Sequence, residues 1–131
     1  MPREATLTGS LPSLDHGAAK KAFFRIMQAW GASDADARVL LGAPSRSTFY
    51  NYKRGEGGAL SADTLERISY VLGIYKALKL LFPNPQQADA WIRKRNAAFG
   101  GRSAMDHALG GKVIDLARVR AYLDAVRGHG L

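Results

Sequence analysis

The segments that decide the fold lie in the last third of the chain. They are Trp91-Ile92-Arg93-Lys94-Arg95-Asn96, then Phe99-Gly100-Gly101-Arg102-Ser103-Ala104-Met105-Asp106, then Val119-Arg120-Ala121-Tyr122-Leu123-Asp124-Ala125-Val126-Arg127-Gly128. Short helical stretches alternate there with glycine and capping residues. Phe99-Gly100-Gly101 reads as a turn. Ser103 with Asp106 reads as a capping box, the hydroxyl taking a free backbone N–H at a helix start. Gly110-Gly111 ends that helix. The last helix begins near Asp115. Its Leu116, Val119, Leu123 and Val126 recur at the steps of a helix packed on a partner helix. A short strand is considered only around Lys112–Ile114.

The same grammar extends upstream. Ser61 caps a long helix, with Asp63 near its positive end. Leu65, Ile68, Leu72, Tyr75, Leu78 and Phe82 run along one side of it, and Pro83-Asn84-Pro85 terminates it. A helix from about Gln86 to Arg95 follows, with Trp91 and Ile92 apolar. Nearer the start, Ala19, Ala22, Phe23, Ile26, Met27 and Trp30 mark one face of a helix that Gly31 ends. Residues 1–16 hold Pro2, Gly9 and Pro12 without a helical period and read as a flexible arm. The expected fold class is all-α. The expected division is the arm at 1–16, a module at 17–60 and a C-terminal helical domain at 61–131.

Ala37 to Lys53 has the order of a helix-turn-helix. Ser33-Asp34-Ala35-Asp36 opens the first helix, and Leu41-Gly42 makes the turn. Pro44 and Ser45 lead into the second helix. The first helix braces the second, and glycine permits the sharp turn that lets the second enter a major groove. Ser45, Arg46, Ser47, Thr48, Tyr50, Asn51, Lys53 and Arg54 are the candidate DNA-binding residues, with no acidic residue among them. Arg forks onto guanine and Asn onto adenine, while Ser, Thr, Tyr and Lys bond phosphate. Phe49 is expected to point into the core, helped by Tyr52. On the residues alone, an ordinary helical hairpin with a solvated second helix stands equally beside this reading.

Composition sets outer limits. With 131 residues and 47% hydrophobic, the chain can bury a core. It has no cysteine, which excludes a disulfide framework and any Cys-ligated zinc or iron–sulfur site. No apolar run approaches a membrane span and no signal-peptide core follows Met1, so a cytoplasmic protein away from the membrane is expected. The net charge is +8 and suggests a polyanionic partner. Residues 1–60 hold eight Lys/Arg against five Asp/Glu, and residues 61–131 eleven against six. The excess is spread out and does not by itself locate a DNA surface.

The order of Trp91, Asn96, Phe99-Gly100-Gly101, Ser103-Ala104-Met105-Asp106 and the Leu-rich last helix resembles the toxin-binding domain of Xre/MbcA/ParS-type antitoxins. The resemblance covers roughly residues 20–128 and is strongest from Leu65 to Gly128. Glu66-Arg67-Ile68-Ser69, Gly73-Ile74-Tyr75-Lys76-Ala77-Leu78 and Leu81-Phe82-Pro83 are similar to that family's long connecting helix. The resemblance implies an Xre-like helix-turn-helix that represses its own operon. It also implies a toxin partner, most often a RES-domain enzyme that consumes NAD, with the C-terminal domain over its active-site cleft. The family often has an aromatic residue, typically Trp, shortly after the final Arg-Gly. This chain departs from that pattern with His129-Gly130-Leu131.

Together these readings give an antitoxin rather than an enzyme, with no cofactor or metal of its own. Operator DNA and a toxin are its expected partners. A homodimer is expected too, since one small reading head binds weakly. The toxin-binding candidates are Arg120, Tyr122, Arg127, Gly128 and His129, with the apolar seam of the last helix docking beside them. The alternative is a stand-alone regulator whose C-terminal helices only dimerise.

Several constellations are set aside. His16, His107 and His129 are too scattered for a metal. Ser103, Asp106 and His107 lack triad geometry on one helix. Phe99-Gly100-Gly101-Arg102 reads as a tight turn ahead of a phosphate cradle. Arg93-Lys94-Arg95 reads as a solvated helix end.

Overall fold

The computed structural model describes residues 15–129, with His129 described by its backbone alone. Residues 1–14 of the expected arm lie outside this range. Seven helices follow one another: α1 His16–Ala29, α2 Asp34–Leu40, α3 Arg46–Lys53, α4 Ala62–Leu81, α5 Pro85–Ala90, α6 Ala104–Ala108 and α7 Val113–His129. Single 3-10 turns lie at Trp91–Arg93 and Ala97–Phe99. The described residues form no strand. An isolated antiparallel bridge joins Arg95 to Ser103. The all-α expectation is met.

The starts of these helices are set locally. Asp15, Ser33, Ser45, Ser61, Asn84 and Ser103 each accept a backbone N–H two or three residues ahead, capping α1 to α6. Asp15 and His16 therefore belong to α1, which begins earlier than its apolar pattern. The segment considered for a strand is instead the entrance to α7. There the Asp115 carboxylate accepts the Lys112 N–H at 3.0 Å, and the helix begins at Val113. The helix expected to reach Arg95 is shorter, passing into a 3-10 turn at Trp91.

The long helix α4 is the axis of the molecule, with α1 and α7 packed against it. Ile68, Val71, Ile74, Ala77 and Leu78 are buried, while Leu65, Leu72, Tyr75 and Phe82 are half-buried. The single expected stripe is thus only part of its covered surface. A helix flanked on two sides must be apolar over more than one face.

Three cations fasten the elements. Arg67, almost fully buried, donates to Asp63 Oδ2 at 2.9 Å and to the Gly111 carbonyl at 2.8 Å. This ties the start of α4 to the approach of α7. Arg93 donates to the carbonyls of Trp30 at 2.7 Å and Gly31 at 2.6 Å. It closes the C-terminal end of α1, where a helix favours a cation. Arg93, though exposed, is therefore a bridge from the 3-10 turn to the end of α1 and not an unpartnered helix end. Lys79 pairs with Asp89 at 3.4 Å and lies over the Tyr75 ring. Desolvation works against its ammonium, but Tyr75 and Asp89 outweigh it, so its pKa stands above the ordinary lysine value.

The last helix corrects a functional expectation. Leu116, Val119 and Leu123 are 2%, 0% and 1% exposed, so the seam is covered by the protein's own core. Only Val126 of that set is exposed. The seam is not a free docking surface.

Candidate functional site

The helix-turn-helix pair is α2 and α3. Between them Gly42 has φ 93° and Ala43 φ 57°. A Cβ on Gly42 would stand 3.0 Å from Arg67 Nε, so position 42 needs glycine for backbone and space alike. Arg38 donates to the Pro44 carbonyl and pins the turn. Phe49 is buried, with its ring edge-on to Phe24 at 5.5 Å. That anchor turns the polar side of α3 outward.

Ser45, Arg46, Ser47, Tyr50, Lys53 and Arg54 are exposed, while Thr48 and Asn51 are half-buried. Several have internal partners. Ser45 Oγ accepts the Thr48 N–H at 3.2 Å and donates to Thr48 Oγ1 at 2.9 Å. Arg54 donates to Asn51 Oδ1 and stands 3.6 Å from Glu56. Lys53 Nζ lies 2.8 Å from Asp34 Oδ1, and the Tyr50 hydroxyl donates to Asp34 Oδ2 at 3.4 Å. Among the described residues, no carboxylate pairs with Arg46. Lys53 and Arg54 both stand beside carboxylates, so Arg46 differs from the other cations of α3.

Two residues of this site are not in the sequence-based set. Asp34 reads there only as a helix-starting carboxylate, yet it faces α3. Lys20 is 4% exposed. Its ammonium donates to the carbonyls of Glu56 at 2.8 Å and Gly58 at 2.6 Å, above the Tyr52 ring. It clamps the loop that leaves α3. Its signal was its position three residues before Phe23 and seven before Met27, on the apolar face of α1.

The second surface is built on the end of α7. Tyr122 stacks on Trp91 with centroids 6.1 Å apart and meets the Phe99 edge at 5.4 Å. Phe99 in turn lies 5.1 Å from the His107 ring. The loop beneath is fixed by its backbone. Asn96 donates to the Arg102 carbonyl and accepts from Gly101, both at 3.0 Å. Gly100 and Gly101 have φ 68° and 84°, with nothing within 4 Å of a built Cβ. Their requirement is conformational, as expected of a tight turn. Ser103 Oγ accepts the Asp106 N–H at 3.0 Å and so serves as a cap.

Arg120 Nε reaches both oxygens of Asp124 at 3.1 and 3.2 Å, and Arg127 stands 4.0 Å from the same carboxylate. The Arg120 guanidinium lies against Gly73 of α4, where an added Cβ would fall 1.6 Å from it. Two residues along a helix turn about 200°, so Tyr122 faces away from Arg120. The candidates therefore divide. Arg120 and Arg127 share one face, Tyr122 belongs to the aromatic cluster, Gly128 is exposed, and the His129 side chain lies outside the described residues.

Residues 11–73 match the antitoxin Xre-like helix-turn-helix domain. Residues 77–128 match the antitoxin Xre/MbcA/ParS C-terminal toxin-binding domain. The chain belongs to the Xre/MbcA/ParS antitoxin family. It is also 51% identical over 123 residues to the uncharacterised protein y4oB of Sinorhizobium fredii (strain NBRC 101917 / NGR234). That likeness covers 92% of this chain and 95% of the relative. The α2–turn–α3 unit lies inside the family's helix-turn-helix domain. The aromatic cluster, Arg120 and Arg127 lie inside its toxin-binding domain, which implies a toxin as partner. The helix-turn-helix suggests DNA as a second partner. The two matches meet within α4, which both domains therefore share.

Among the described residues, no helix is long and apolar enough to cross a membrane. Among them, too, no three His, Asp or Glu side chains gather as a metal site.

Proposed function

We propose that this protein is the antitoxin of a type II pair, acting in the cytoplasm on a RES-type toxin that consumes NAD. The observation that carries this reading is the order of two matched domains on one chain, a reading head and then a toxin-binding domain. In this reading residues 17–60 serve DNA and residues 61–131 serve the toxin. The protein acts by binding and not by catalysis.

With the α7 seam buried, neutralisation falls to what remains outside. Arg120 and Arg127 flank Asp124 at the open end of α7, beside exposed Val126 and Gly128. A cleft built for a phosphorylated dinucleotide is a natural acceptor for arginines, which fork onto anionic groups. The remaining candidates, Tyr122 and His129, belong to the same end of the chain. On DNA, a homodimer places two copies of α3 in successive turns of the major groove and represses the operon.

Co-expression with the neighbouring toxin tests this. A folded Arg120→Glu, Arg127→Glu double variant is expected to lose protection. The Arg46→Ala, Lys53→Ala double variant is expected to keep it while losing operator binding. Full protection by the first variant removes the arginines as the blocking element.

A further inference from the structure

Beside α3 lies a groove of about 430 Å³ whose walls come from α1, α2 and α3. Lys21 and Arg25 of α1 and Lys53 of α3 line it, over a floor that includes Phe24 and Met27. Its carboxylate is Asp34. A second groove of about 490 Å³ continues from it, sharing Lys21 and Lys53 and adding Arg54 and Asp15. Lys21 and Arg25 are four residues apart, so they project from the same face of α1. Both are exposed, unlike Lys20, whose ammonium is bound inside.

Three cations against one carboxylate in the first groove, and four against two over both, make this an anion-attracting surface, and its apolar floor strengthens the field. The cations are strung along the groove and not gathered at a point. That arrangement suits a ligand with separate charges in a row. It adjoins α3 through Lys53, so it lies beside the helix whose polar residues suit DNA. Asp34 supplies a further indication. It already holds the Lys53 ammonium at 2.8 Å and takes the Tyr50 hydroxyl, so an anion of this chain occupies the contact that a phosphate would make. The pair is 45% exposed on both sides, and a pair so exposed is easily exchanged.

We propose that this groove cradles the DNA backbone beside the reading helix. Lys21 and Arg25 each neutralise a phosphate, and Asp34 is the internal anion that a phosphate displaces from Lys53. The inference rests on the reading of α3 as a DNA-reading helix, and its test separates the two.

The full chain is titrated onto a random-sequence duplex and onto the duplex upstream of its own reading frame, at several salt concentrations. Each phosphate contact contributes about 0.9 to the slope of log affinity against log salt. Lys21→Gln with Arg25→Gln is expected to flatten that slope by about 1.8 on both duplexes alike. Asp34→Asn is expected to tighten random-duplex binding several-fold with little change of slope, because Lys53 meets its phosphate in both proteins and no longer has to leave a partner to do so. An unchanged slope in the double variant overturns the groove. So does weakening confined to the upstream duplex, since backbone contacts do not discriminate sequence. If Asp34→Asn changes nothing, the displacement is overturned. If Arg46→Ala still relaxes base preference, the reading of α3 survives either loss. A wild-type protein that binds neither duplex at low salt overturns that reading and the groove with it.

Discussion

Helices α3 and α7 both alternate apolar and polar positions, yet they present different faces to the outside. In α3 a single large side chain, Phe49, is fully buried, Tyr52 packs half-buried beside it, and the other side chains are polar and reach the surface at least in part. In α7 Leu116, Val119 and Leu123 are buried one above another, and the large apolar side chains left outside are Ile114 at its start and Val126 near its end. A helical period shows that a face is covered. It does not show whether the cover is the protein's own core or a partner. For α3 the polar residues decided the matter, since nothing else on that face was worth burying. For α7 only the position of α4 decides it.

The sharpest way to break this comparison is Leu123→Ala. Truncating a fully buried leucine is expected to cost about 2–5 kcal/mol in chemical denaturation, whereas Val126→Ala should stay within about 0.5 kcal/mol. If Leu123→Ala leaves stability intact and abolishes toxin binding, the seam belongs to the interface after all.

Next in size is the clamp behind α3. Lys20→Met keeps the apolar stem and removes two charge-assisted hydrogen bonds to the carbonyls of Glu56 and Gly58. The expected loss is about 1.5–3 kcal/mol in urea unfolding. An unchanged midpoint means the loop after α3 closes without it.

On DNA, the contrast lies within α3 itself. Arg46→Ala is expected to weaken operator binding by about 1–3 kcal/mol and to relax base preference, measured by gel shift. Lys53→Ala is expected to lose less and to lose it on every sequence, because Asp34 already holds that ammonium. Equal effects of the two substitutions would mean that displacing Asp34 takes nothing from the contact of Lys53 with phosphate.

What could be read in the sequence was local. The caps at Ser33, Ser45, Ser61 and Ser103, the turn at Gly42 and the inward Phe49 are set by neighbours within one helical turn. What escaped depends on distant residues. Arg93 finds its carbonyls 62 and 63 residues back, at Gly31 and Trp30. Lys20 reaches 36 and 38 residues forward, and Asp34 meets Lys53 across the turn. In each case a charged side chain on a helix reads as solvated until the tertiary fold supplies its partner. The site was legible as two separate surfaces. Their internal pairings were not, nor was the division of Arg120 from Tyr122 around α7.

The smallest expected effect tests that last division. Gly73 lies inside α4, where alanine is favoured over glycine by about 1 kcal/mol. Gly73→Ala would place a Cβ 1.6 Å from Arg120 Nη1 and 2.8 Å from Cζ, so the guanidinium must leave its rest against α4. That group ends a flexible side chain, and its partner Asp124 sits on the same helix, four residues along. It can therefore swing outward without breaking α7. The propensity gain and the lost contact should nearly cancel, leaving thermal stability within about 1 kcal/mol of the starting protein. Toxin affinity should be no weaker, because the displaced arginine is freer to reach a cleft. A larger loss of stability would show Arg120 to be wedged between α4 and α7 as part of the packing. In that case Arg127 alone would remain beside Asp124 to reach a partner, and the contrast with the polar face of α3 would become sharper still.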